Sequence, residues 1–160
     1  MRIFVKKNSM EQRYIAGDWV KHRRKLARIE ETYRTNYFVK DCHDDYNPDI
    51  EYDDAYFFRE VRPQDLVPIP LTYEMLEKNG WKKEMYSSSK GQYTILAKDF
   101  DDNVSRIAVV FFKQVIKAEV WHRGYHLGIY LSYVHQLQHL LFGLGLDFDF
   151  NLENSKKGGD

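Results

Sequence analysis

The amino-acid sequence predicts an α+β fold in which the strands pair antiparallel. Short, aromatic-rich segments separated by turn residues fill most of the chain, and their connections are too short for the crossovers that parallel strands need. Two other segments carry apolar residues at three- and four-residue steps, which indicates helices. The chain has 160 residues, of which 43% are hydrophobic and 16% aromatic, so it is long enough to bury a core.

The N-terminal part, residues 1–67, is predicted to be a small, bent antiparallel sheet or barrel. Its predicted strands are aromatic or alternate between apolar and polar residues. They are Gly17–Val20, Leu26–Tyr33, Tyr37–Val39 and Ala55–Val61. Arg62–Pro70 follows with three prolines, which remove amide donors and favour extended backbone. This segment is either a linker or an extended edge strand, and the domain boundary is placed within it.

Residues 68–150 are predicted to form a helix, an antiparallel β-meander and a second helix. Leu71–Gly80 has Thr72 to cap its first amides and Asn79-Gly80 to end it. Ile107–Phe112 is apolar throughout, so its strand should be the central one. The four predicted strands are Trp81–Tyr86, Gln92–Lys98, Val104–Phe112 and Gln114–Trp121.

The last helix is predicted over Gly128–Gly145, after a loop at His122–Leu127. Its expected buried stripe consists of Tyr130, Tyr133, Val134, Leu137, Leu140, Leu141 and Leu144. Asp147–Phe150 alternates and is expected to add a short strand. Residues 151–160 are polar and glycine-ended, which predicts a disordered tail.

Composition limits the classes of function. The chain has 24 basic and 24 acidic side chains, so no global charge attracts nucleic acid or a membrane surface. The single cysteine, Cys42, excludes an internal disulfide. Met1–Met10 lacks the apolar segment of a signal peptide, and no run of residues is long and apolar enough to span a membrane. These features predict a cytoplasmic protein that does not contact membranes.

An acidic segment, Asp41–Asp54, holds seven carboxylates and no basic residue. Its alternation resembles the start of a calcium loop. However, Ile50 and Tyr56 stand where such a loop needs glycine and a bidentate glutamate. The departure favours a solvated acidic loop.

A basic segment over residues 21–28 is the candidate nucleic-acid site. On a hairpin its cations could face phosphates while the adjacent tryptophan stacks on a base. In the alternative interpretation these charges balance the acidic segment within the same fold. The candidate residues are Trp19, Lys21, Arg23, Arg24, Lys25 and Arg28.

The last helix offers two further hypotheses. His135 and His139 are four residues apart, a spacing that suits two imidazoles on one metal, and a metal-dependent enzyme is therefore one alternative. No glutamate follows the zinc-protease pattern and no third ligand is evident, so no cofactor is predicted. Residues 131–145 also lack charged side chains. Either the N-terminal sheet covers this helix back, or the back is an interface for a partner or a second copy, formed by Leu131, His135, Gln138 and Phe142.

Three pieces of the second half together resemble a family of small uncharacterised proteins from Bacteroidetes genomes, often within prophages and other mobile elements. They are Pro68–Thr72, Leu76–Trp81 and Tyr133–Gln138 (YVHQLQ). The resemblance implies a phage or mobile-element context and no particular chemistry. Since no nucleophile–base pattern or phosphate-binding glycine loop is present, the leading hypothesis is a non-enzymatic protein-binding module. Its partner would be another protein or a second copy; nucleic-acid binding is the first alternative.

Overall fold

The structure is a computed structural model that describes residues 14–33, 36–41, 58–89, 91–100, 105–146 and 148–152. The chain divides into two compact units, Met1–Pro68 and Ile69–Asp160. The division lies next to the sequence-predicted boundary between residues 67 and 68. Each unit contains one five-stranded antiparallel sheet. With two α-helices among the described residues, the α+β prediction is confirmed.

The first unit is a sheet with the strand order β4-β3-β2-β1-β5. Its strands are β1 (Trp19–His22), β2 (Lys25–Tyr33), β3 (Asn36–Asp41), β4 (Phe58–Val61) and β5 (Leu66–Pro68). A short 3-10 helix, Pro63–Asp65, leads into β5. The proline-rich segment therefore supplies an extended edge strand, which was one of its two predicted roles. Most of the acidic segment and Cys42 lie outside the described residues.

The core of the first unit comes from alternate positions of these strands. Because side chains alternate across a strand, one face of the sheet collects most of the buried apolar residues; the other face carries charged side chains such as Lys21 and Arg28 around the buried Trp19. A β-bulge between Ile29 and Glu31 shifts the register of β2 against β3, which bends the strand locally. The buried cluster consists of Tyr14, Val20, Ala27, Ile29, Tyr37, Val39, Val61 and Leu66.

The second unit is a meander in which each strand pairs with the next along the chain. Its strands are β6 (Lys82–Ser88), β7 (Gly91–Asp99), β8 (Ser105–Phe112), β9 (Val115–His122) and β10 (Tyr125–Leu131). The helices are α1 (Tyr73–Lys78) and α2 (Val134–Gly143). The apolar strand β8 is the central one, as its sequence predicted.

The two faces of the second sheet differ in character. One, here called the buried face, carries apolar side chains that are inaccessible to solvent: Leu96, Ile107, Val109, Ala118 and Val120. The other, the charged face, carries Glu84, Arg106, Lys117 and Glu119, which occupy the alternate positions of the same strands. Helix α1 contacts β7, and Leu137 and Leu141 of α2 are fully buried.

Both helices of this unit begin with side-chain caps. The Thr72 hydroxyl accepts a hydrogen bond from the Met75 amide at 3.4 Å, as the sequence predicted. At α2 the Gln136 side chain reaches back from the first turn, and its Oε1 accepts from the amides of Ser132 and Tyr133, the two residues before the helix, at 2.7 and 3.1 Å. Free amides at a helix start need such partners. The Gln136 cap fixes the start of α2 at Val134.

The last described residues pack onto the second unit and do not form a tail from residue 151. The Asn151 amide donates to Asn79 Oδ1 at 2.7 Å, and Asn79 Nδ2 donates back to the Asn151 carbonyl at 3.2 Å. Leu152 is buried. The predicted disordered tail therefore starts too early; residues 153–160 lie outside the described part. Residues 148–150 have no strand pairing, so the predicted last strand is also wrong over those residues.

The main correction concerns residues 122–133. The predicted loop and the first turn of the predicted helix are in fact the fifth strand, β10, which pairs with β9 from Tyr125 to Leu131. A two-residue turn, Arg123-Gly124, has positive φ at both positions (49° and 85°) and returns the chain directly into the sheet. Tyr130, expected in the helix stripe, is therefore an exposed strand residue.

Candidate functional site

The outer edge of the second sheet is formed by β10, whose sequence YHLGIYL has no Lys, Arg, Asp, Glu or Pro. Among the described residues β10 pairs only with β9, so its other side presents unpaired backbone groups. Tyr125 and Leu127 are 80% and 52% exposed, and Tyr130 is 72% exposed. The edge is thus uncharged and accessible near its start, whereas Leu131 at its end is buried and the next residue, Ser132, accepts a hydrogen bond from the Leu71 amide at 3.0 Å.

The other edge strands of the two described sheets are protected in the usual ways. Sheet edges in natural proteins are short, charged or interrupted by proline, because an open edge recruits other strands. β4 has four residues, two of them charged, and β5 has three residues and ends in Pro68. β6 is as long as β10 but begins Lys-Lys-Glu. Within the described residues, β10 is the edge without such protection.

Beside β10 the charged face holds a small network. Glu119 forms an ion pair with Lys117 at 2.8 Å and lies 2.8 Å from His126 Nε2. The ammonium of Lys117 is the main cause that lowers the pKa of Glu119; partial burial opposes it and His126 adds to it. In turn, Glu119 raises the pKa of Lys117. The carboxylate is therefore held ionised, with its charge neutralised by its neighbours.

Gly128 makes room for this network. A Cβ atom at this position would lie 2.7 Å from Lys117 Cε, so the lysine stem crosses β10 where the glycine stands. The lysine ammonium then lies 5.9 Å from the centre of the Tyr130 ring. The His126 and Trp121 rings stack at 4.9 Å. On the charged face, the β10 edge is therefore lined by aromatic rings and by the Lys117–Glu119–His126 network, in which the charges neutralise one another.

The residues of the predicted nucleic-acid site do not all point to solvent. Trp19 is buried, and the Arg28 guanidinium lies 5.6 Å from the centre of its ring, so the tryptophan does not offer a free face for a base. The remaining cations, Lys21, Arg23, Arg24 and Lys25, are exposed around the β1–β2 turn. The acidic segment that was the alternative partner of these charges lies mostly outside the described residues.

The helix histidines are close to each other but in different surroundings. His135 is buried and His139 half-buried, with ring centres 5.6 Å apart. His122 contacts Ser105 through Nδ1, and His126 lies beside Glu119, so neither joins the helix pair. In the described part of the chain no three His, Cys, Asp or Glu side chains are grouped as metal ligands.

The predicted interface on the helix back is not a continuous surface. Leu131 belongs to β10 and is buried, and His135 is buried as well, whereas Gln138 is half-buried. Phe142 is 76% exposed. Of the three candidate positions that lie on α2, one is therefore buried, one half-buried and one exposed. What sequence reasoning missed is the β10 edge, because a strand is recognised as an edge only when its neighbours are known.

Comparisons with protein families, with curated proteins and with solved structures gave no match to this chain. No helix among the described residues is long and apolar enough to cross a membrane.

Proposed function

We propose that this chain is a non-enzymatic protein-binding module that binds an extended segment of its partner along β10. The observation that carries the proposal is that the β10 edge is uncharged and largely exposed, whereas the other three sheet edges among the described residues are short, charged or ended by proline. Strand addition derives affinity from main-chain hydrogen bonds and specificity from alternate side chains. The resemblance of the Pro68–Thr72, Leu76–Trp81 and YVHQLQ pieces supports placing this module in a phage or other mobile element.

The alternation of β10 defines which segment fits. Leu127, Ile129 and Leu131 continue the buried face, so the added strand should place apolar residues on that side. On the charged face the added strand contacts His126, Tyr130 and the ion pair of Lys117 with Glu119. Polar or aromatic residues of the partner suit those positions. A partner segment should therefore alternate between apolar and polar residues.

Displayed random peptides selected on the intact chain test the proposal. We expect the selected sequences to alternate in this way and to bind the wild type but not Gly128→Pro. His122 and Tyr125 flank the two-residue turn, so the Gly128 amide faces away from β9, and edge strands tolerate proline at such a position. The proline ring also requires the flexible end of Lys117 to move. Met85→Pro on β6, which is exposed on the opposite edge, is the matched control and should bind normally. Equal binding to all three proteins would exclude β10 as the site.

Nucleic-acid binding through the β1–β2 turn is the second candidate. Arg23 and Arg24 both have positive φ, 49° and 67°, although such turns favour Asn and Gly. Two exposed arginines thus occupy a strained position together with Lys21 and Lys25. If they contact phosphates, binding in a gel shift should weaken steeply with salt and disappear when these four charges are reversed. Unchanged binding by the reversed variant would contradict this function.

A further inference from the structure

A row of four side chains crosses the charged face of the second sheet, at the end where β9 turns into β10. The register places Asp99, Arg106, Trp121 and His126 side by side on four successive strands. Directly opposed residues point to the same face of a sheet. Since neighbouring strands lie roughly 4.8 Å apart, the row is about 14 Å long. A carboxylate, a guanidinium, an indole and an imidazole line it in that order.

Trp121 is the exposed tryptophan of the chain. It is 42% exposed, whereas Trp19 and Trp81 are buried at 4% and 2%. The His126 ring lies nearly parallel to the indole, with ring centres 4.9 Å apart and 21° between the planes. The neighbouring ring therefore orients an indole that still offers apolar surface to solvent.

Arg106 fixes the polar groups on the β8 side of Trp121. Its guanidinium donates to Glu84 at 2.7 Å and to Asp99 at 3.2 Å. The three side chains remain partly exposed, from 38% for Arg106 to 70% for Asp99. Carboxylate oxygens have several lone pairs and a guanidinium has five N–H groups. This side of the row thus offers hydrogen-bond acceptors directly beside donors.

The Lys117–Glu119–His126 network provides the same combination on the β10 side. Glu119 lies 2.8 Å from the nitrogen of each partner, and its side chain is still 21% exposed. Because the members of each network hold one another in place, a ligand that binds them immobilises few additional side chains.

The charges of this face cancel one another. The described strands bring three cations and three carboxylates to it, and His126 is the remaining titratable group among these strands. The charged residues are Lys82, Arg106, Lys117, Glu84, Asp99 and Glu119. A surface without net charge does not attract a polyanion. Phosphate oxygens only accept hydrogen bonds and an ammonium group only donates them, whereas a hydroxyl does both. Donors beside acceptors therefore suit hydroxyl groups.

We infer that this row is a binding site for a neutral carbohydrate. The two networks hydrogen-bond the hydroxyl groups, and Trp121 packs against the apolar face of a sugar ring. The face of an aromatic ring carries partial negative charge, and the C–H bonds of a sugar carry partial positive charge because each carbon is bonded to oxygen. The length of the row suits a short oligosaccharide. Sugar binding here uses the face of the sheet and does not depend on strand addition at the β10 edge.

Titration of the full chain with neutral oligosaccharides tests the site. The probes are short glucans, mannans, xylans, galactans and oligomers of N-acetylglucosamine, and binding is measured by calorimetry. We expect binding that salt leaves nearly unchanged, because no counterions are released. The bound sugar should also protect tryptophan fluorescence from acrylamide, since Trp121 is the accessible tryptophan.

Two variants on the same face locate the site. Trp121→Ala should weaken binding roughly tenfold or more, because the stacking surface is lost. Tyr86→Ala is the matched control and should bind as the wild type does. Tyr86 is 58% exposed but pairs with Tyr93, at the opposite end of β7 from Asp99.

The results either support the sugar site or exclude it. Circular dichroism and thermal unfolding establish that both variants are folded, and the acrylamide measurement on the wild type needs no variant. Absence of binding by every probe overturns the inference, as does binding that Trp121→Ala leaves unchanged. Binding of heparin alone, lost at high salt, would overturn it in favour of an anion site.

Discussion

Leu137 and Phe142 lie on the same helix but in opposite environments. Leu137 is fully buried, whereas Phe142 is largely exposed. Deleting a buried leucine side chain removes its transfer free energy and leaves a cavity. We therefore expect Leu137→Ala to lower the free energy of unfolding by about 2–5 kcal/mol.

Phe142→Ala is the control for this prediction, since exposed substitutions usually change stability by less than about 0.5 kcal/mol. Urea unfolding of the two variants measures the difference. A loss below that level for Leu137→Ala would mean that α2 packs through another face.

Glu119 should make stability depend on pH. Its pKa is lowered, first by Lys117, so the folded state binds a proton less readily than the unfolded chain. The stabilisation is complete above the ordinary carboxyl pKa and is lost as the pH falls through the lowered folded value. We expect Glu119→Gln to be less stable than wild type at neutral pH and to lose less stability on acidification.

Urea unfolding at a series of pH values measures this effect. Glu77→Gln, on the exposed side of α1, serves as the control and should follow the wild-type profile. Parallel acid profiles for wild type and Glu119→Gln would show that the ion pair does not contribute.

The turn between β1 and β2 is strained, and the sequence alone does not reveal this strain. Arg23 and Arg24 occupy left-handed backbone, which costs a residue with a side chain about 1–2 kcal/mol. Arg23→Asn with Arg24→Gly should therefore raise the free energy of unfolding by about 1 kcal/mol or more.

The turn between β9 and β10 is the comparison for this prediction. Gly124 already fills its second position, so Arg123→Asn should raise stability by a smaller amount. Thermal unfolding of both variants measures the gain. Equal gains at both turns would show that the second arginine of the first turn is not strained.

The strands and helices differ in how far their sequences determined them. The Thr72 cap and Gly80 stop define α1 by local chemistry, and the apolar run of β8 marks a central strand; both were predicted correctly. The pattern of residues 125–131 fits both a strand and a helix, since Leu127, Ile129 and Leu131 alternate while Tyr130 also begins a helical spacing. The Arg123-Gly124 turn favours a strand over these residues, and the Gln136 side-chain bonds place the start of the helix after them. Each is a local signal that outweighs an ambiguous periodicity.

The candidate site was less predictable than the fold, for a reason of topology. That β10 is uncharged can be read from the sequence, but that it lies at an edge depends on the pairing of all the strands of its sheet. The need for glycine at position 128 is also nonlocal, because the Lys117 side chain that occupies this space is brought beside it only by the β9–β10 hairpin. Nonlocal pairing thus turns an ordinary apolar segment into a candidate binding edge.

For the whole molecule, the division into two units predicts independent folding. Each unit has a complete sheet and its own buried apolar residues, and the chain passes between them after Pro68. The second unit also contains the hydrogen bonds that fix its start and end: Val134 donates to the Ile69 carbonyl at 2.9 Å, and Asn151 bonds to Asn79. A chain of residues 69–160 should therefore fold alone.

Circular dichroism and thermal unfolding of this shorter chain test the prediction by measuring its secondary structure and the cooperativity of its unfolding, with the full-length protein as the reference. We expect a cooperative transition, because a unit with its own core unfolds as one. Leu137→Ala in the shorter chain should lower its melting temperature, which tests whether the same core is formed. A shorter chain without a cooperative transition would mean that residues 1–68 contribute to the stability of the second unit. If it folds, it carries β10 and should bind the selected peptides as the full chain does.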